Sequence, residues 1–344
     1  ADMVTSCAIC FSASSYLDRT SRYFLHDIPS IWQGGMQQIL DDAAHQLTET
    51  FAQLTGNTSR IPEQPSPLSA APSDTLPVAQ SPEQAIGLFR NRAHFAIALS
   101  ELWGKSSFEQ TLHALSDAAE TAVRQAAAFL LYPQPADTSD WMIFALGKLG
   151  AEELNFSSDI DLICLHHLPA ATTDTPSPVT LTKKLSALLS ARTPYGQGWR
   201  VDLRLRPDPS ATAVSVSVPA ALHYYQSKAR SWERAAFIRA RPIAGNIDAA
   251  HLFLKQIESF IWRRHLDYTV IDDLSVMHTH KAAENDFLGF DLKKGAYGIR
   301  HIELFCHILQ LLSGGRHEQI RHHHTQTALK RLSEYGWLDS EQAE

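Results

Sequence analysis

Three aspartates stand where they could share one cation. Asp159 and Asp161 lie in Leu154-Asn155-Phe156-Ser157-Ser158-Asp159-Ile160-Asp161-Leu162-Ile163. Asp202 lies in Val201-Asp202-Leu203-Arg204-Leu205-Arg206-Pro207. Both stretches read as strands. Side chains two apart on a strand point to one face, roughly 6–7 Å from each other. Asp159 and Asp161 then share a face, with Ile160 and Leu162 on the other. By the same alternation Asp202, Arg204 and Arg206 share a face. If the two strands are neighbours, three carboxylates converge. Left alone they would repel and raise one another's pKa. A hard cation such as Mg²⁺ or Mn²⁺ relieves this, because it accepts a few carboxylates together with phosphate oxygens of a substrate.

A second element stands just upstream. The apolar run Trp141-Met142-Ile143-Phe144-Ala145-Leu146 ends at Gly147-Lys148-Leu149-Gly150, and Ala151-Glu152-Glu153-Leu154 could begin a short helix. Backbone N–H groups at such a turn can cradle a phosphate. Asp-x-Asp and Gly-x-x-Gly are each common. The ordered set is far more specific: buried strand, glycine turn, Asp-x-Asp strand, later Asp strand.

That order resembles the polymerase-β-like nucleotidyltransferase superfamily. The stretches Gly147 to Leu162 and Val201 to Pro209 are similar to the signatures of bacterial glutamine synthetase adenylyltransferase, a bifunctional adenylylating and adenylyl-removing enzyme. So are Tyr224-Tyr225-Gln226 through Trp232-Glu233-Arg234 to Arg239-Ala240-Arg241-Pro242, and Lys294-Gly295-Ala296-Tyr297-Gly298-Ile299-Arg300-His301-Ile302-Glu303. The resemblance covers roughly residues 85 to 320. It departs at His301, where the family carries an acidic residue after Gly-Gly-Ile-Arg. That family has two nucleotidyltransferase copies, and the Tyr-Tyr-Gln and Trp-Glu-Arg wording is similar to the N-terminal one.

The resemblance implies a metal site at Asp159, Asp161 and Asp202. It implies a nucleotide and phosphate site that includes Gly147, Lys148, Ser158, Arg204, Arg206, Glu233, Arg300 and Glu303. The implied reaction is phosphorolysis of the AMP–tyrosine bond on adenylylated glutamine synthetase, releasing ADP, with inorganic phosphate as co-substrate and the PII signal protein as regulator. Two alternatives stay open: adenylyl transfer from ATP at the same site, and a non-catalytic module that binds nucleotide or PII.

The rest of the chain must position these residues. Its 344 residues suffice for two or three domains and a sizeable core. Hydrophobic content of 44% and charged content of 19% fit a globular protein. A net charge of −7 argues against non-specific nucleic-acid binding, which runs on basic surface. No apolar run approaches transmembrane length and no signal-peptide pattern opens the chain. Cys7-x-x-Cys10 has no second pair to complete a zinc site, and Cys164 and Cys306 lie in apolar surroundings. A cytoplasmic location away from membranes is the expectation, and the resemblance implies a bacterial one.

The spacing of Leu40, Ala44, Leu47, Phe51 and Leu54 predicts a helix over Gln37–Leu54. Asn57–Ser81 is rich in Pro and Ser and reads as a linker. Pro82–Leu131 reads as a second helical block, and Pro133–Asp140 as a second linker. Thr180–Arg192 is a predicted helix with Leu181, Leu185, Leu188 and Leu189 inward, and alternation over Thr212–Val218 predicts an edge strand. From Ala220 the pattern is helical; Arg230, Glu233 and Arg234, with Arg239 and Arg241 beyond, read either as i,i+3 and i,i+4 pairs on a solvated face or as a basic wall for nucleotide or inorganic phosphate. Arg300, Glu303, His307 and Gln310 form a polar stripe on a helix from Tyr297, and His322-His323-His324 reads as surface. The expected fold is α+β, mostly helical, with a small mixed sheet of nucleotidyltransferase type. Its expected divisions are a helical region 1–137, a catalytic core 138–219 and a helical region 220–344.

Overall fold

The computed structural model describes residues 2–56, 76–167, 176–264, 271, 291–293 and 298–339. Most of the Pro-rich linker (57–75) and the segment Lys294–Tyr297 lie outside them. The chain is mostly helical with a small mixed sheet, as the sequence implied.

The central strand β1 (Trp141–Leu146) is buried throughout. It pairs antiparallel with β2 (Ile160–His166) on one side and with β7 (Arg241–Gly245) on the other. Along the outer side of β2 run two short parallel partners, β5 (Val201–Asp202) and β6 (Ser215–Ser217). A separate two-stranded hairpin, β3 (Arg192–Thr193) with β4 (Gly196–Gln197), precedes β5. The predicted edge strand is thus β6. The sheet does not end at residue 219 but takes a further strand from the region expected to be helical. Pro242 had disguised β7, since proline removes a ladder donor. It sits next to a register shift between Ile143 and Phe144.

Helices cover both sheet faces, which explains the continuous apolar run of β1. Trp141, Ile143 and Ala145 of β1, with Ile160, Leu162 and Cys164 of β2, pack on one core cluster. That cluster includes residues of α4 (Met36–Gly56), α5 (Pro82–Leu102), α6 (Phe108–Leu131) and α8 (Pro178–Ser190). Ser107 and Gln110 close a capping box at the start of α6. Met142, Phe144, Leu146, Ile163 and Leu165 face the second cluster with residues of α9 (Val218–Ser227), α10 (Ser231–Phe237), α11 (Ile247–Gln256) and α12 (Glu258–Ile261). Alternation places Asp161 on this second face, at the start of β2. Cys164 and Cys306 are buried, as expected.

Ahead of α4 come α1 (Met3–Ala13), α2 (Ser15–Phe24) and α3 (Ile28–Trp32). The C-terminal part contributes α13 (Ile299–Ser313) and α14 (Thr325–Glu334). An apolar cluster of Ala235, Ile238 and Leu311, with Trp232, Leu304 and Ile308 against it, seats α13 on α10.

Candidate active site

The register of the sheet builds the site. Leu146, the last residue of β1, stands opposite Asp161. Asp161 stands beside Asp202 across the parallel β2–β5 pair. Adjacent strands lie about 4.8 Å apart, so the two carboxylates are neighbours. Gly147 has a φ of 54°, and a Cβ there would come within 2.2 Å of Asp161 Oδ2. Only glycine gives the turn its left-handed backbone and leaves the Asp161 carboxylate its space.

Asp161 shows the electrostatics of this crowding. Burial above all, then the charges of Asp202 and Asp159, push its carboxyl up to about 6, against the opposing pull of Arg204 and Lys293. Asp202 goes the other way. Its carboxyl is held below the usual range by hydrogen bonds from the Arg204 side chain, assisted by the Arg204 backbone N–H at 2.8 Å. A shared cluster has thus been split into one carboxylate short of positive charge and one already paired.

Several predicted site residues take other places. Asp159 is not in the strand. It precedes β2, is exposed, and pairs with Arg200, whose guanidinium also donates to Ser157 O at 2.7 Å. The strand of Asp202 stops after that residue, because the Asp202 carboxylate accepts from the N–H two residues on and turns the chain. Arg204 therefore stays at the site, highly exposed, with Nε 2.9 Å from Asp202 Oδ2. Arg206 is drawn away. It donates to the carbonyls of Leu203, Pro209 and Thr212 at 2.8, 2.9 and 3.2 Å and so braces its own loop. Ser158 donates to Asn155 Oδ1 at 2.6 Å.

The short helix expected from Ala151 starts four residues earlier: α7 is Gly147–Gly150. Lys148, half-buried on it, has an ammonium whose pKa burial lowers while Glu303 and Glu153 act to raise it. Glu303 of α13 does face this turn, accepting from Arg239 at 3.0 Å. Arg300 lies at the start of α13, half-buried, its N–H on Lys293 O at 3.1 Å. Glu233 is a buried cap: it accepts from Arg230 N at 2.8 Å and Tyr224 OH at 3.2 Å, and burial raises its pKa.

The basic wall is not open to a ligand in the way the sequence implied. Arg234 is fully buried and donates to Ile261 O at 3.2 Å. Arg239 pairs with Glu153 and Glu303. Arg241 pairs with Glu120 of α6 and donates to Gly150 O at 3.0 Å. The histidine run is not free surface either. His323 meets Glu152 at 3.4 Å, and His322 stacks on His323, its pKa pushed down to about 4, chiefly by burial. On the predicted polar stripe of α13, Gln310 is buried.

Sequence reasoning missed Arg200, Glu152 and Glu153 as site-forming residues. The two glutamates follow the glycine turn directly, and two adjacent acids leaving a buried strand-turn unit were the available signal. Arg200 had one as well, a lone cation at the start of the Asp202 strand.

Among the described residues no three His, Cys, Asp or Glu side chains are grouped closely enough to hold a metal ion. The donor set nevertheless suits one. It offers only oxygens, as Mg²⁺ and Mn²⁺ favour, and Asp161 and Asp202 stand side by side in register. The residues that would hold it are Asp161 and Asp202, with Asp159 beside them.

A mixed sheet with a glycine turn after its central strand and register-paired aspartates next to it is consistent with the nucleotidyltransferase class. Comparison makes the assignment specific. Residues 35–256 match the family described as glutamate-ammonia ligase adenylyltransferase, and residues 272–344 match the family described as PII-uridylyltransferase. The chain is 39% identical over 272 residues to the bifunctional glutamine synthetase adenylyltransferase/adenylyl-removing enzyme of Mesorhizobium japonicum. It is 40% identical over 273 residues to that of Rhizobium meliloti. These alignments cover 72% and 73% of this chain and 28% of each relative. The chain belongs to the glutamate-ammonia ligase adenylyltransferase family. It spans little more than a quarter of the length of these relatives. No helix of the described residues is long and apolar enough to cross a membrane.

Proposed function

We propose that this chain removes AMP from adenylylated glutamine synthetase by phosphorolysis. The observation that carries the reading is the in-register pair Asp161–Asp202 beside the Gly147 turn. The direction is supported by the Tyr224-Tyr225-Gln226 and Trp232-Glu233-Arg234 wording, similar to the N-terminal copy of the family. An oxygen of HPO₄²⁻ forms a bond to the AMP phosphorus as the bond from that phosphorus to the tyrosyl oxygen breaks. The proton of the phosphate passes to the tyrosyl oxygen, leaving ADP and a free tyrosine. Asp161 and Asp202, with Asp159 beside them, would hold Mg²⁺ or Mn²⁺, which when bound neutralises phosphate charge.

The chain's own part is positioning. The Gly147–Lys148 turn and Ser158 seat phosphate, and Lys148 and Arg204 bring positive charge to it. Glu303 orients Lys148 from α13. Positioning and charge neutralisation supply most of the barrier reduction in phosphoryl transfer. We read the 272–344 match as the region through which the PII signal protein acts. The relatives' names carry both activities, so adenylyl transfer from ATP is the second reading. ADP release from adenylylated glutamine synthetase, dependent on inorganic phosphate, decides between them.

A further inference from the structure

The turn that carries Gly147 and Lys148 leaves through two adjacent carboxylates that grip different partners. Glu152 has a left-handed backbone, φ 59°. Residues other than glycine adopt this rarely, and it persists only where the surroundings enforce it. Its carboxylate lies 3.7 Å from Arg241 and 3.4 Å from His323.

Glu153 meets the first turn of α14. Its Oε1 accepts the Thr325 N–H at 2.6 Å, and its Oε2 accepts the Thr325 hydroxyl at 2.8 Å. Arg239 Nη2 donates to Glu153 Oε2 at 3.3 Å and to the Thr325 hydroxyl oxygen at 2.7 Å, while its Nη1 reaches Glu303. The Glu153 and Arg239 side chains are 12% and 6% exposed, so these charge-assisted bonds are shielded from water. The Glu153 N–H donates to Lys148 O at 2.8 Å. One hydrogen bond therefore separates the clasp from the turn.

We infer that Glu153 is a positioning residue, clasped by Thr325 and Arg239, through which the C-terminal helices fix the Gly147–Lys148 turn in its phosphate-receiving geometry. The inference rests on the reading above that this turn seats phosphate. It gives α14, inside the 272–344 match, a direct structural line to the site. The apolar cluster of Leu311, Ile238 and Ala235 holds α13 independently of the clasp, so loosening the clasp leaves the unit attached.

The test uses the full 344-residue chain with Glu153→Gln, Thr325→Val and Thr325→Ser. One readout is phosphorolysis, with KM for inorganic phosphate separated from kcat. The other is amide hydrogen exchange over residues 147–154. Thr325→Val is expected to raise KM about fivefold with kcat within about twofold. It is also expected to speed exchange over 147–154 and leave 141–146 unchanged. Thr325→Ser, which keeps the hydroxyl, is expected to restore both. Wild-type KM and wild-type exchange in Thr325→Val would overturn the inference, as would a fall in kcat with no change in exchange. If Glu153→Gln does not fold, the Thr325 pair decides alone. If the wild-type chain performs no phosphorolysis, the functional reading fails, and exchange still decides the clasp.

Discussion

Replacing Asp161 with Asn should make the metal-free protein more stable while it removes activity. Burial and the charges of Asp202 and Asp159 raise the Asp161 carboxyl from 3.8 to about 6. In the unfolded chain the group keeps its ordinary value near 3.8. Between these values the folded state binds more protons than the unfolded one, so stability falls as pH rises through that window. At 1.36 kcal/mol per unit the loss is about 3 kcal/mol once pH exceeds the folded value. Asn keeps the shape and carries no charge, so the variant escapes the loss. Urea unfolding in EDTA should show wild type and variant alike at pH 4 and a gap opening between pH 4 and 6. By pH 8 the variant should be the more stable by up to about 3 kcal/mol. Adding Mg²⁺ or Mn²⁺ should narrow the gap by stabilising the wild type alone. A gap already present at pH 4, or a variant less stable than wild type at pH 8, would refute the electrostatic account of the site.

Three further outcomes follow from named contacts. Gly147→Ala places a Cβ against Asp161 Oδ2 on a left-handed backbone, so denaturant unfolding should show a loss of at least about 1 kcal/mol, with turnover reduced. Arg239→Leu strands Glu153 and Glu303 in largely buried positions, and the expected cost is about 3–5 kcal/mol, read as a shift in the urea midpoint. Arg204→Ala should let the Asp202 carboxyl rise toward its ordinary value in an NMR titration. Stability should change little, because the guanidinium is highly exposed and screened by water.

Much of the scaffold was legible because its signals are local. Helical spacing marked α4 and α8, and the unbroken apolar run of β1 announced a strand buried on both faces. Asp161 and Asp202 could be paired on paper because strand alternation is strict and β2 and β5 are adjacent. The sequence misled where short-range chemistry competes with the strand. Asp202 turns its own chain through Arg204 N–H, which pulls Arg206 off the face that alternation assigned to it. Pro242 hid β7. The fate of the arginines was not legible, because their partners are remote. Arg239 meets Glu153 across 86 residues and Arg241 meets Glu120 across 121. Spacing along the chain says nothing about such pairs.

As proposed, the aspartates beside the Gly147 turn drive phosphorolysis of an AMP–tyrosine bond. The most direct test is ADP release from adenylylated glutamine synthetase with inorganic phosphate and Mg²⁺ or Mn²⁺, with Asp159→Asn and Asp161→Asn alongside. The wild type should release ADP in a phosphate-dependent way, and both folded variants should lose that release. Full activity in either variant, or no release from folded wild type with both metals and uridylylated PII present, would contradict it.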